Sequence, residues 1–430
     1  MLFSDSVLKS AASLLLLAAS AHAQCSEISG NYYCNKVDQV VYENIGFSGS
    51  YNKVTNFDTN SCSCSSKPVA FSGSLSPLDE EVSLHFRGPL NLKQFAYYSY
   101  NNTKSKRDVP EAETEKHTVA RRHVHHAHKR EIVYVTEYVQ ADADAPSTAA
   151  AASTSTAAAA KKAAAAKASS SAASSSKQTT QTGTGWTRQS YYNAASQSSN
   201  GLVFLNHQGG TAGSGVWDTC FGNSLSYCGS DGISGAGSPQ VLADTVIPSN
   251  KEFSIFTSEK CQGDSCGYYR PGSTAYHGFD GNYKAFAFEF SMPSDAGSDA
   301  VINGDMPAIW MLNAQIPRTL QYGNGACSCW STGCGEFDIF EVLNSGNKFL
   351  TSHLHTGQGA ASLANNGGGG TADYIARPVS GTLKAAVIFA DASITLTVLD
   401  DDTTFDSFLS DDAMAKWIAQ SSSSSSSVSL

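Results

Sequence analysis

Charge is what this chain has least of. Asp, Glu, Lys and Arg together make up 15% of its 430 residues, the net charge is -10, and the basic residues gather on no stretch patterned to fold. Such a chain is a poor match for the phosphate backbone of a nucleic acid, and a neutral polar ligand fits better. Helical periodicity is nearly missing, which argues against an α-helical fold. Long apolar runs are missing too: the stretch Ala11–Ala19 falls short of the roughly 20 residues that cross a bilayer, and no later run comes closer. The C-terminus lacks the hydrophobic run of a lipid-anchor signal, so no membrane anchor is expected.

What is present at the N-terminus reads as a signal for export. Lys9 precedes the apolar run and Ala21-His22-Ala23 follows it, the pattern of a cleavable signal peptide at 1–23. The mature chain is then expected to start near Gln24 and to be secreted. Without an N-terminal histidine it does not suit a copper-dependent oxidative enzyme. Eleven cysteines in an exported chain read as a disulfide framework, four at the front (Cys25, Cys34, Cys62, Cys64) and seven later, and the odd number leaves at least one thiol over. Cys-x-Cys pairs also occur in metal sites, but no matching histidine spacing accompanies them, so no metal and no cofactor is expected.

Composition divides the remainder. Residues 24–103 carry short alternating runs, such as Val82, Leu84 and Phe86, between turn residues, and predict a small disulfide-stapled N-terminal β-domain. Residues 104–185 turn charged, then His-rich, then almost wholly Ala, Ser, Thr and Lys; with so few large apolar side chains they predict a disordered linker. That linker holds the dibasic pairs Lys106-Arg107, Arg121-Arg122 and Lys129-Arg130, which resemble secretory processing sites, and the sequon Asn101-Asn102-Thr103 lies at its edge. Residues 186–420 show period two throughout. In "KAFAFEF" Phe286, Phe288 and Phe290 fall on one side, and in "SITLTVL" Ile394, Leu396 and Val398 do. Short strands with Gly-rich turns predict an all-β fold, a β-sandwich or barrel. Residues 421–430 read as a Ser-rich tail.

Within this domain "GEFDIFEVLN" (335–344) sets three carboxylates into an apolar strand, where ionised acids are costly unless paired or used. Glu336 and Asp338 share a face by alternation, but Glu341, five positions from Glu336, points to the other unless a β-bulge intervenes. With a bulge the acids converge, and a glycosidase that retains anomeric configuration needs two carboxyls about 5–5.5 Å apart, one ionised and one protonated. A third acid between them can hold that asymmetry. The plainer alternative is an edge strand with its acids in solvent. Trp310 and Trp330 are candidates to stack on sugar rings, Trp310 with a core role as its rival. His355 is a hydrogen-bonding candidate near the acids, with a satisfied core histidine as its rival.

Glu-x-Asp-x-x-Glu, preceded by "MPAIWML" (306–312) and followed by "SHLHTG" (352–357), resembles the signature of glycoside hydrolase family 16 in its laminarinase-like form. "PRTLQYG", "CSCWSTGCGEFDIFEVL" and "FSGSLSPL" resemble the fungal Tos-type cell-wall proteins, regarded as glycosyl hydrolases. The resemblance implies a β-sandwich jelly roll and retaining endo-hydrolysis of β-1,3-glucan by a wall-associated monomer. It places Glu336 as nucleophile, Asp338 as assisting acid and Glu341 as general acid/base, with Trp310, Trp330 and His355 at the substrate. The cluster Cys327, Cys329 and Cys334 departs from family 16 and implies a different loop over the cleft. A glucan transglycosylase of the same fold and a non-catalytic wall protein are the rival functions.

Overall fold

In the computed structural model, residues 25–101, 184–298, 300–359 and 367–430 are described. The expected signal peptide and nearly all of the expected linker, with its dibasic pairs and histidines, lie outside them. The chain divides into two units, Met1–Asn101 with Gly185–Leu430, and Asn102–Thr184. Apart from Thr184, every described residue belongs to the first.

Two large sheets form that unit. The front sheet runs, in spatial order, Gly235–Ala236, Ser226–Cys228, Leu202–Asn206, Glu252–Thr257, Val82–Arg87, Ala308–Asn313, Glu336–Glu341, Phe349–His355 and Gly368–Gly370. The back sheet runs Phe408–Leu409, Gly185–Asn193, Asn91–Asn101, Lys284–Ser291, Leu383–Ala390, Ser393–Leu399, Gln39–Glu43 and Ser425–Ser429. The last two strands pair parallel. Between the sheets lies one core of alternating inward residues: Leu84, Phe86, Ile309, Met311, Phe337 and Phe340 from the front, Phe95, Phe286, Phe288, Phe290, Val387, Ile394 and Leu396 from the back. The expected all-β sandwich is therefore present.

Period two also explains the other face of the back sheet. Ala285 and Ala287 are small and point away from the main core, and with Ala96, Tyr98 and Ile388 they make a seat for Met414 and Trp417 of the helix Asp411–Gln420. Ser410 caps that helix by accepting from the Ala413 N–H, and Asp411 and Asp412 sit in its first turn, where the helix dipole favours negative charge.

Two expectations about segments are corrected. Residues 24–103 are no separate domain: Val82–Arg87 lies between Glu252–Thr257 and Ala308–Asn313, and Asn91–Asn101 between Gly185–Asn193 and Lys284–Ser291. The physical reason is burial. Leu84 and Phe86 need a second apolar layer that some eighty residues do not supply, and Phe86 finds it by stacking on Phe253 at 4.8 Å and meeting Phe288 at 6.3 Å. Nor is the C-terminus only a tail, because Ser425–Ser429 adds a strand beside Gln39–Glu43, with serine hydroxyls small enough to accept any neighbour.

Two hairpins of the N-terminal segment stand outside both large sheets, the short one of Ser26–Ile28 and Asn31–Tyr33 and the long one of Gly49–Asp58 and Ser63–Phe71. The tip of the long hairpin is stapled twice to the later chain, through Cys62–Cys220 and Cys64–Cys327, so two of the three bridges made by the first four cysteines join the halves and one, Cys25–Cys34, stays within the first. Cys25–Cys34, Cys261–Cys266 and Cys329–Cys334 close short loops. The odd thiol is Cys228, fully buried and pushed up to about 12 by that burial, which keeps it protonated and unreactive.

Cutting the chain anywhere between residues 102 and 183 should therefore leave the protein as one species of full mass on a denaturing gel without reductant and two with it. Two bands before reduction would contradict the cross-linked arrangement.

Candidate active site

Along Glu336–Glu341 the register holds as far as Asp338 and then slips. On Ala308–Asn313, Leu312 faces Glu336, Met311 faces Phe337 and Trp310 faces Asp338; past the slip, Ile309 faces Phe340 and Ala308 faces Glu341. The strand Phe349–His355 records the same slip, between Asp338 and Glu341. This is the expected bulge, an extra residue that re-aims the side chains beyond it. Leu312, Trp310 and Ala308 alternate on one face, so their partners Glu336, Asp338 and Glu341 share the outer face of the front sheet. Phe337, Ile339 and Phe340 all go to the core.

Neighbouring strands supply the surroundings. Trp330 donates its Nε1–H to Glu336 Oε2 at 2.5 Å, and His355 Nε2 lies 3.1 Å from Asp338 Oδ2. Arg87 reaches within 3.7 Å of Glu341 Oε1. The loop carrying Trp330 is built from two short 3-10 turns, Gly325–Cys327 and Cys329–Thr332, capped by the Asn324 and Ser328 side chains. Gly333 ends the second turn at φ 89°, a left-handed conformation that a Cβ disfavours. The Cys329–Cys334 bridge closes this loop, and Cys64–Cys327 ties it to the hairpin, whose Asn52 N–H also bonds Thr332 Oγ1 at 2.9 Å.

Low solvent exposure and crowded charge act together on the acids. Burial raises Glu336 to about 8 and Glu341 to about 7, and in each the negative charge of Asp338 adds to the rise. Burial opposes charge on His355, but the hydrogen bond and charge of Asp338, with both glutamates behind it, carry it up to about 9. His353 goes the other way, down to about 4 by burial, and stays neutral. Near neutral pH the group thus pairs a cationic His355 with Asp338 and retains a proton within the glutamate pair.

The structure brings together Glu336, Asp338, Glu341, Trp330 and His355. Trp310 is a correction: expected to stack on sugar, it is 5% exposed and packed against the His85 ring at 5.2 Å, with Arg87 5.8 Å from its centre. It belongs to a cluster with Tyr51, Phe71, Leu312 and Cys329 that covers it on the outer face beside Asp338. Asp338, expected to hold the charge asymmetry between the glutamates, is hydrogen-bonded through its carboxylate to His355. Missed altogether were His85 and Arg87. Their signal was available, since "VSLHFR" hides Leu84 and Phe86 and leaves Ser83, His85 and Arg87 on the opposite face, the same pattern as the acidic strand. Among the described residues the grouping with metal-ligand chemistry is Cys261, Cys266 and His277, but its two sulfurs are joined and offer no thiolate.

A two-sheet sandwich carrying a carboxylate pair with a third acid on an outer sheet face is the arrangement of carbohydrate-active proteins. The comparisons narrow it. A family profile described as "Cell wall protein YJL171C/Tos1, C-terminal" matches residues 184–417, and its N-terminal counterpart matches residues 38–100. A Saccharomyces cerevisiae protein named "Probable circularly permuted 1,3-beta-glucanase TOS1" is 45% identical over 443 residues, covering 94% of each chain. A Candida albicans protein of the same name is 43% identical, covering 96% of this chain and 97% of its own. A Schizosaccharomyces pombe protein, also named a probable circularly permuted 1,3-beta-glucanase, is 40% identical over 92% of this chain and 93% of its own. The chain belongs to the Tos1/YJL171C cell wall protein family. No solved structure matches it.

Because the folded pKa of His355 is raised, its pairing stabilises the fold fully below about pH 6.5 and is lost as pH rises through about 9. The stability advantage of the wild type over Asp338→Asn should accordingly shrink between pH 6 and pH 10, measured by urea unfolding. The His355 ring should titrate at least a unit lower in the variant, followed by NMR. A pH-independent stability difference would contradict the pairing.

Proposed function

We propose that the protein is a secreted, wall-associated glycoside hydrolase that cleaves β-1,3-glucan internally with retention of configuration. One observation carries this reading: a bulge sets Glu336, Asp338 and Glu341 on a single sheet face, where burial and the charge of Asp338 raise both glutamates. The family's cell-wall description and the glucanase names of its relatives support the substrate and the location. Among the described residues no helix is long and apolar enough to cross a membrane.

Glu336 is assigned as nucleophile and Glu341 as general acid/base. An indole N–H only donates, so the Trp330 contact favours a lone pair, and hence the ionised form, on Glu336 Oε2. Glu336 stands higher than Glu341, which has Arg87 beside it to lower it, and this runs against the assignment. The reacting sugar reverses it, because positive charge developing at the anomeric carbon favours an anion at the attacking oxygen. Glu341 then gives its proton to the departing glucan oxygen. Glu336 Oε attacks the anomeric carbon and the glycosidic C–O bond breaks, leaving a glycosyl ester that water hydrolyses once Glu341 takes the water proton. Asp338, held by His355, keeps the pair's charge asymmetric, and Arg87 beside Glu341 steadies the anion left after proton donation.

Reducing ends released from soluble β-1,3-glucan should fall by at least about a thousandfold in Glu336→Gln, while retention of the protein in a glucan-containing gel persists. In Glu341→Ala, azide should restore turnover of an activated aryl glucoside and yield the β-glycosyl azide. Release by the wild type no greater than by Glu336→Gln, with binding intact, would make this a wall-binding protein. Products longer than the starting oligosaccharide would make it a transglycosylase.

A further inference from the structure

A second feature on the same sheet face has polar groups with nothing to bond. It is a recess of about 210 Å³ between the residues following Leu202–Asn206, the hairpin Trp217–Asp218 with Gly222–Asn223, and the stretch from Thr319 to Tyr322. His207 and Gln321 are among the residues that line it, and His207 Nε2 and Gln321 Oε1 are buried and without a hydrogen-bond partner among the described residues. Unpaired buried polar atoms are costly, and where they face a cavity they mark the place of a missing partner. The volume is below the roughly 300 Å³ of pockets for drug-sized ligands, and suits one sugar ring.

Its walls are rigid and its rim is aromatic. Arg270, 2% exposed, holds the hairpin through the Phe221 carbonyl at 3.3 Å, the Gly222 carbonyl at 2.7 Å and the Asp218 carboxylate. The Cys62–Cys220 bridge and Phe57 stacked on Phe221 at 4.4 Å pin it from outside. Tyr322 lines it and is 52% exposed, one of the few large aromatic rings left in solvent among the described residues. The hydroxyl of Tyr322 donates to Glu252 Oε2 at 2.7 Å, which fixes its ring 6.3 Å from that of His207. Burial holds His207 down at about 4, so its imidazole is neutral and offers a hydrogen bond in place of a charge, as a sugar hydroxyl requires.

Position connects the recess to the acids. Glu341, Ala308, Arg87 and Glu252 form one row across four strands, and His207 lies at the end of the next strand, Leu202–Asn206. Four interstrand steps of about 4.8 Å put the recess roughly 19 Å from the acids, several sugar units along a chain lying across the sheet.

We propose that this recess is a remote subsite for β-1,3-glucan: one glucosyl ring rests there against Tyr322, its hydroxyls bonded to His207 Nε2 and Gln321 Oε1, far from the bond being cleaved. The inference rests on the glucan reading above and adds to it a preference for long chains.

The test compares a long soluble β-1,3-glucan with a short β-1,3-oligosaccharide that spans only the acids. The ratio of kcat/KM, long over short, should fall about tenfold in His207→Ala and in Tyr322→Ala, the size expected for one lost hydrogen-bonded contact. Tyr322→Phe, which keeps the ring, should lose less. Migration through a gel containing the long glucan gives a second readout independent of turnover, with the wild type retarded more than either alanine variant. An unchanged ratio, or equal retardation of wild type and variants, overturns the subsite. A wild type that turns over neither glucan but is retarded, with the variants retarded less, overturns the enzymatic reading and leaves the subsite standing.

Discussion

Everything at the site depends on one irregularity, the slip in pairing between Asp338 and Glu341. A regular strand would send Glu341 inward among Phe290, Ile309 and Phe340, where a carboxylate is prohibitive, or, with Glu341 kept outward, would turn Phe337 and Ile339 out to water. The extra residue resolves the conflict. Ile339 and Phe340 both enter the core, three acids share the outer face, and Asp338 becomes the foremost charged neighbour of both glutamates. The raised values of Glu336 and Glu341 and the cationic His355 result from that closeness in a poorly solvated place.

The rest of the molecule holds this strand and completes its surroundings. Val82–Arg87, from the beginning of the chain, lies one strand beyond Ala308–Asn313 and brings Arg87 and His85 to the site. The long N-terminal hairpin then grips the loops on both sides, through Cys64–Cys327 to the turn that carries Trp330 and through Cys62–Cys220 to the wall of the recess. Order in sequence and order in space part company at the early strands, while Ala308–Asn313, Glu336–Glu341, Phe349–His355 and Gly368–Gly370 follow one another in both.

What could be read from the sequence was whatever is encoded locally. Alternation in "KAFAFEF" and "SITLTVL" marked strands and their buried faces, and three acids in one apolar strand at a spacing of two and three required a bulge. What could not be read was partnership. The pairing of Val82–Arg87 with strands some 170 and 220 residues later leaves no trace in local pattern, so the first hundred residues passed for a domain of their own. Cysteine pairing was hidden for the same reason. Trp310 was misjudged because its position on the acid-bearing face is correct while its burial depends on Tyr51 and Phe71, which come from the distant hairpin.

The identity of the attacking oxygen is the point most directly open to measurement. Incubating the protein with a 2-deoxy-2-fluoro-β-1,3-glucosyl compound bearing a good leaving group should accumulate the glycosyl ester, and peptide mass spectrometry should locate the added sugar on Glu336. A label on Glu341 or Asp338, or no label under conditions where the glucan itself is cleaved, would contradict the arrangement of acids from which the activity is derived.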